Sequence, residues 1–151
     1  MKKLLFLILL FFSIICFGQN DKPLVKNEIE IDIDRSVYIN KKDNFYFSEN
    51  EKSAIQYMLI PMSFETMKTN MQKENPKKGV EIIDKGELLI NGINILFVKS
   101  IFVERNVIML IYCKENDKNS SLSFISFYPI EEENYYQPLI EKAFLSAKIK
   151  I

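Results

Sequence analysis

The chain has 151 residues, with 20 lysine and arginine residues, 20 aspartate and glutamate residues, and no histidine. The missing histidine excludes Ser-His-Asp and Cys-His nucleophile systems and any His-ligated metal site. The 48% hydrophobic content is typical of one globular domain, and the zero formal net charge argues against electrostatic capture of nucleic acid.

The first 18 residues have the three-part layout of a secretory signal peptide. Lysines at 2–3 precede an apolar run of 14 residues at 4–17, and polar residues follow Gly18. We expect cleavage after Gly18 or Gln19, and therefore a periplasmic or secreted protein with no stable membrane span, because roughly 20 apolar residues are needed to cross a bilayer. An uncleaved membrane anchor and a lipoprotein acylated at Cys16 remain as alternatives.

Removal of the segment 1–18 changes the charge and the cysteine count. The remaining chain has 18 basic and 20 acidic residues, a net charge of −2, because two lysines leave with the segment. Cys113 is then the only cysteine, so no intramolecular disulfide can form. We interpret 19–27 as a flexible leader and 28–151 as a single domain.

The first half of this domain has the pattern of short strands. Apolar and acidic residues alternate at 29–33, which predicts a strand with one solvent-facing side. The segment 37–39 is predicted as a second short strand or a continuation of the first, and another strand is predicted at 45–47 after a turn at 40–44. A nearly continuous apolar run at 54–60 predicts a buried strand.

A helix is predicted at 64–74. Ser63 is a suitable N-cap, and Phe64, Met67 and Met71 fall on one helical face. We expect this stripe to pack on a sheet; a methionine-rich ligand groove is the alternative.

An antiparallel meander is predicted to follow the helix. A strand at 80–84 is expected to break at Lys85-Gly86, and Asn91-Gly92 between two apolar runs predicts a hairpin that pairs 87–90 with 93–96. Gly79 is expected in a solvent-facing loop, so that Gly92→Val should destabilise the protein far more than Gly79→Val. The later segments are strands at 93–103, 107–114 and 121–128, a turn at 104–106 and a loop at 115–120.

A second helix is predicted at 131–147, because Tyr136, Ile140 and Phe144 recur at helical spacing. Pro138 is unfavourable in a helix interior, so either the helix starts near 137 or a first turn from 131 is kinked. The alternating residues at 148–151 predict a short closing edge strand.

Both faces of the central strands are apolar, and such strands are covered on both sides. The predicted fold class is therefore α+β, with a mostly antiparallel sheet of about six or seven strands flanked by two helices.

This order of elements resembles the PsbP/Mog1-like fold, including the periplasmic DcrB-like proteins, and the leader resembles those of small exported bacterial proteins. The segment 86–92, the meander 93–128 ending at Pro129, and 136–149 carry the resemblance, which covers 28–151. It implies an α/β/α sandwich and a non-catalytic accessory or binding protein, and it supplies no catalytic residues. Cystatin-like and NTF2-like folds are the alternatives.

Few residues are candidates for chemistry. Cys113 lies in the most apolar strand, with Lys114 on the opposite face, so we expect a buried, unreactive thiol. The three glycines at 79, 86 and 92 form no phosphate-binding signature, and we expect no cofactor. Two charged clusters are either solvated surface or partner-binding sites: Lys68, Lys73, Lys77 and Lys78, and Glu131, Glu132 and Glu133.

The sequence therefore favours a non-enzymatic periplasmic or secreted module that binds a protein partner. An envelope immunity-type inhibitor of a toxin is one alternative. A small hydrolase that uses carboxylates alone is another, and it would require two acids to converge in a cleft.

Overall fold

The computed structural model describes residues 29–73 and 78–150. The predicted signal peptide and leader, at 1–18 and 19–27, lie outside these residues, as does Lys77. The strands are β1 (Ile29–Glu30), β2 (Asn40–Lys42), β3 (Phe45–Phe47), β4 (Ala54–Ile60), β5 (Val80–Ile90), β6 (Ile93–Phe102), β7 (Val107–Asp117), β8 (Ser120–Pro129) and β9 (Lys148–Ile149). The helices are α1 (Phe64–Lys73) and α2 (Glu133–Ser146), with 3₁₀ turns at Val103–Arg105 and Ile130–Glu132.

One seven-stranded sheet organises the described residues. Its strand order is β2-β3-β4-β8-β7-β6-β5, and every neighbouring pair is antiparallel. β1 and β9 form a separate antiparallel pair, which confirms the predicted closing strand. β5 is therefore a long edge strand.

The two helices lie on opposite faces of the sheet. The Tyr112 ring stacks on Phe144 of α2 at a centroid distance of 5.2 Å, whereas neighbouring Cys113 packs with Phe64 of α1. Successive strand residues point to opposite faces. The arrangement is an α/β/α sandwich, and it confirms the predicted fold class.

The Asn91-Gly92 hairpin is confirmed. Ile90 pairs with Ile93, and both turn residues have positive φ, 52° and 78°. Gly79 lies in an exposed turn, as expected, but its φ of 83° contradicts the expectation that Gly92→Val should destabilise the protein far more than Gly79→Val.

The predicted break at Lys85-Gly86 was also wrong, because β5 runs from Val80 to Ile90 with a bulge at Ile83 instead. A side chain at position 86 would lie 3.4 Å from the Phe97 ring of β6, so the glycine leaves room for a cross-strand aromatic residue.

The predicted strand at 29–33 is shorter than expected. Only Ile29–Glu30 pairs, because Asp34 accepts hydrogen bonds from the backbone N–H groups of Ser36, Val37 and Tyr38 and turns the chain. This turn also replaces the strand predicted at 37–39.

Two predicted loops are shorter than their composition suggested. Three residues of the predicted turn at 40–44 form β2, which leaves Asp43-Asn44 as the turn. The predicted loop at 115–120 narrows to Lys118-Asn119, because β7 and β8 continue pairing through polar residues, exposed at Glu115 and Asp117 and buried at Ser120 and Ser121. Backbone pairing outweighs turn-like composition in both cases.

Helix α2 begins at Glu133 after the 3₁₀ turn, so a start near 137 was wrong. Pro138 lies inside the helix and is exposed, and Asn134, whose carbonyl loses its donor, is exposed as well. Tyr136, Ile140 and Phe144 are buried as predicted.

Candidate functional site

Helix α1 is held over β6 and β7 by its apolar face. Ser63 Oγ accepts a hydrogen bond from the Thr66 backbone N–H at 3.3 Å, which confirms the predicted N-cap. Phe64 is buried against Leu96 and Cys113, and Met67 and Met71 pack beside them. The phenylalanine and methionine stripe therefore packs on the sheet, as expected.

A groove of about 290 Å³ separates α1 from the edge of the sheet. Two polar contacts bridge it: the Lys68 Nζ–Glu87 Oε2 ion pair at 2.7 Å, and a hydrogen bond of 3.2 Å from Lys85 Nζ to the Gln72 carbonyl. We call this feature the helix–edge groove, and its lining residues are Lys68, Met71, Gln72, Lys85, Gly86, Glu87, Leu96, Phe97 and Val98.

The predicted basic cluster is only partly assembled at this groove. The hydrogen bond to Glu87 raises the pKa of Lys68, so this lysine is a paired cation on the groove wall. Lys73 ends α1 and Lys78 precedes β5, and both are exposed. Sequence reasoning missed Lys85 and Glu87 as groove residues, because it placed a break at Lys85-Gly86 and began the next strand at Glu87.

Strand β5, which forms one wall of the groove, also carries exposed apolar side chains. Ile83, Leu88 and Leu89 are 43%, 38% and 71% exposed, whereas most apolar side chains on β6, β7 and β8 are buried or half-buried. Exposed apolar residues on an edge strand that also borders a groove favour contact with another molecule.

The predicted acidic cluster lies at the start of α2, on the opposite face of the sheet. Glu132 Oε1 lies 2.6 Å from Lys52 Nζ, Glu133 forms an ion pair with Lys99, and Glu131 is exposed. The two charged clusters are therefore not brought together, and two of the three glutamates are already neutralised by lysines distant in sequence.

A half-buried polar network lies beneath α2. Lys99 Nζ donates to Gln137 Oε1 at 3.0 Å, and the Tyr128 hydroxyl donates to the same oxygen at 3.3 Å. Burial and the nearby Glu133 raise the pKa of Tyr128, and burial raises the pKa of Tyr112 to about 12. The phenols are therefore protonated hydrogen-bond donors at neutral pH. Lys99, a charged residue on the core face of an apolar strand, was the signal that sequence reasoning could have used.

Cys113 is fully buried, as predicted, and burial raises its thiol pKa to about 11. A protonated thiol is a poor nucleophile at neutral pH. Lys114 points to the opposite face, where its Nζ donates to the carbonyls of Phe144 at 2.9 Å and Leu145 at 3.2 Å. Neither residue forms a reactive site.

The surface along α2 carries two glutamates that can be compared with the carboxylate pair of a hydrolase. Glu133 and Glu141 both line an open depression there. Eight helical positions separate their Cα atoms by about 12 Å along the helix axis. Glu133 is also held by Lys99. This depression therefore does not support the hydrolase hypothesis.

Within 29–73 and 78–150, no helix is long and apolar enough to cross a membrane. In the same ranges, no three histidine, cysteine, aspartate or glutamate residues are grouped so that they could hold a metal ion.

Comparison with known proteins gives a likeness at the level of structure only. No protein-family profile matches the chain, and no curated protein matches its sequence. Among solved structures, the chain is similar to the solution structure of cyanobacterial PsbP (CyanoP) from Synechocystis sp. PCC 6803. The match has a TM-score of 0.49 and 6% sequence identity, and it covers 88% of this chain and 99% of the other.

Proposed function

We propose that the protein is a non-catalytic accessory module that binds a protein partner through the helix–edge groove, in the periplasm or after secretion. The observation that carries the proposal is the groove itself, which combines an apolar floor at Met71 and Leu96 with walls bridged by Lys68 and Glu87. The signal-like segment at 1–18 supports export.

The groove offers a partner two kinds of contact. Met71 is flexible and polarisable, so it can adapt to apolar side chains of different shape. Lys73 at the end of α1 is exposed and lies one residue from Gln72 in the groove wall, so acidic groups of a partner can reach it. The proposed partner therefore presents apolar residues flanked by carboxylates.

Site-specific photo-crosslinking in cells tests this assignment. A photoreactive amino acid at Gln72 should give one discrete adduct with another protein, and the same residue at Lys142 is the matched control, because it is exposed on α2 across the sheet. Lys68→Glu should reduce the adduct from position 72 at least fivefold without loss of folded protein.

The identity of the adduct decides among the hypotheses. An envelope toxin as the adduct would correspond to the immunity-type alternative. Equal adduct yields at 72 and 142, or no adduct at 72, would refute the groove as the binding surface.

A further inference from the structure

The open edge of β5 has a residue pattern that complements itself. Around Gly86, the strand places Lys85 on one side and Glu87 on the other, with Asp84 and Leu88 beyond them. We propose that β5 pairs with β5 of a second copy of this chain, antiparallel, about a two-fold axis at Gly86. This inference does not depend on the proposed partner.

The hairpin determines which backbone groups are free for such pairing. Ile90 and Ile93 flank a two-residue turn and form a hydrogen-bonded pair. Hydrogen bonding alternates along an antiparallel strand, so Leu88 and Gly86 direct their backbone groups to β6, whereas Glu87 and Lys85 direct theirs to the open edge.

Among two-fold axes placed from Lys85 to Leu88, one satisfies both the backbone and the charges. An axis at Lys85 or at Glu87 places like charges opposite each other, which is unfavourable. An axis at Leu88 places Glu87 opposite Leu89 of the second copy, so the Glu87 carboxylate faces no positive charge. An axis at Gly86 places Lys85 opposite Glu87 of the second copy, and by symmetry Glu87 opposite its Lys85, with outward-directed backbone groups in both pairs.

The exposed apolar residues fit the same register. At its ends, Ile83 approaches Leu89 of the second copy, and these two residues are 43% and 71% exposed in the single chain. The bulge at Ile83 limits regular pairing to about five residues, from Asp84 to Leu88. Charges and bulges commonly protect edge strands from pairing, but a protective pattern does not need opposite charges placed symmetrically about a glycine.

The dimer would also join the two helix–edge grooves. Lys85 and Glu87 line the groove of their own chain. The Glu87 carboxylate already forms an ion pair with Lys68, whose Nζ lies 2.7 Å from Oε2. In the proposed pairing, Lys85 of the second copy approaches the same carboxylate.

Charge exchange tests the register. Protein purified from cells that express the full chain should sediment as a dimer at micromolar concentration and 0.15 M salt. Lys85→Glu and Glu87→Lys should each raise the dimer dissociation constant at least about tenfold, because each creates two like-charge contacts. The double exchange, Lys85→Glu with Glu87→Lys, should restore it to within about threefold of the original value.

The matched control is Glu81→Lys, the same charge change on the same strand but beyond the bulge, which should leave the constant unchanged. Circular dichroism and urea midpoints confirm that each variant is folded. A protein that stays monomeric at 100 micromolar would overturn the proposal. So would a dimer whose dissociation constant is unchanged by Lys85→Glu, by Glu87→Lys and by the double exchange.

Disulfide formation tests the axis independently. Opposed residues of a non-hydrogen-bonded antiparallel pair have Cα atoms about 4.5 Å apart, within disulfide range. Gly86→Cys should therefore form a symmetric cross-link between chains under mild oxidation, assigned by mass spectrometry of the linked peptide. Leu88→Cys should not, since the two copies of Leu88 would be four residues apart in register. Cross-linking at 88 that equals or exceeds that at 86 would refute the Gly86 axis.

Discussion

Lys114 shows how one charged residue is accommodated in an apolar strand. Its Nζ donates to the carbonyls of Phe144 and Leu145 at the end of α2, and it lies 5.0 Å from the Phe144 ring centroid. The last carbonyls of a helix have no intrahelical donors and carry partial negative charge. Burial lowers the pKa of Lys114, so desolvation offsets part of this stabilisation.

Lys114→Met should therefore lower the free energy of unfolding by about 1–2 kcal/mol, because it removes the lysine hydrogen bonds to two helix-end carbonyls, of which, within the described residues, only that of Phe144 keeps a second donor, the Ala147 N–H. Urea denaturation at pH 7 measures this change. Lys148→Met is the control, since the Lys148 side chain is exposed and its nearest Glu30 oxygen is 3.4 Å away; we expect about 0–0.5 kcal/mol there. Equal losses in the two variants would contradict a capping role for Lys114.

The Cys113 thiol should be unreactive toward alkylating reagents in the folded protein. It is buried against Phe64 and Leu96, and its thiol is protonated at neutral pH. Alkylation should be slow in buffer and fast in denaturant, as followed on the peptide that contains Cys113. Cys113→Ala should cost of order 1 kcal/mol through lost packing, with the groove crosslink unchanged. Rapid alkylation of the native protein, or loss of that crosslink in a folded variant, would show that the thiol has a functional role.

At the level of elements, the two turn glycines have the same conformational requirement. Gly79 and Gly92 have φ 83° and 78°, and nothing lies within 4 Å of a Cβ built at either position. A side chain there is strained by backbone conformation alone, at about 1–2 kcal/mol.

Gly79→Ala and Gly92→Ala should thus destabilise the protein by similar amounts, about 1 kcal/mol each. Gly86→Ala should change stability by less, because position 86 is extended backbone and a Cβ there meets only the edge of the Phe97 ring. Thermal and urea midpoints of the three variants provide the comparison. A loss at position 86 as large as at 79 and 92 would refute this account.

The elements that could be predicted are those with a strong local signal. The helical spacing of Phe64, Met67 and Met71, the apolar run at 54–60 and the Asn91-Gly92 turn each determine local structure without help from distant residues. The lengths over which the strands pair could not be predicted in the same way. β2, the end of β7 and the middle of β5 are polar segments whose backbone groups pair because a neighbouring strand is present.

At the scale of the molecule, the layer arrangement followed from apolar residues on both faces of the central strands, whereas the charged sites did not follow from sequence. Lys68 pairs with Glu87, Lys52 with Glu132 and Lys99 with Glu133. Each pair joins two different segments of the chain, so Glu132 and Glu133 of the acidic cluster and Lys68 of the basic cluster are paired in three dimensions, whereas Lys73 and Lys78 are exposed. The groove exists only because α1 lies beside the edge strand β5.

The buried acidic groups of the core predict how the whole molecule responds to alkaline pH. Burial raises the pKa of Cys113 from 9.0 to about 11 and that of Tyr112 from 10.0 to about 12, and it also raises the pKa values of Tyr38 and Tyr128. In the unfolded chain these groups lose their protons at lower pH than in the folded protein. Their contribution to stability is therefore intact below about pH 9 and is lost as the pH rises through the folded values.

The free energy of unfolding should thus be steady from pH 7 to pH 8.5 and fall by at least about 1 kcal/mol by pH 10.5. Urea denaturation at each pH gives the profile. Cys113→Ala isolates the thiol, because the tyrosines and Lys114, whose lowered pKa acts in the opposite direction, are common to both proteins. The variant should lose less stability over this interval than the original protein. A profile that stays flat to pH 10.5, or identical losses in both proteins, would mean that the thiol is accessible to solvent and that α1 does not seal this face of the sheet.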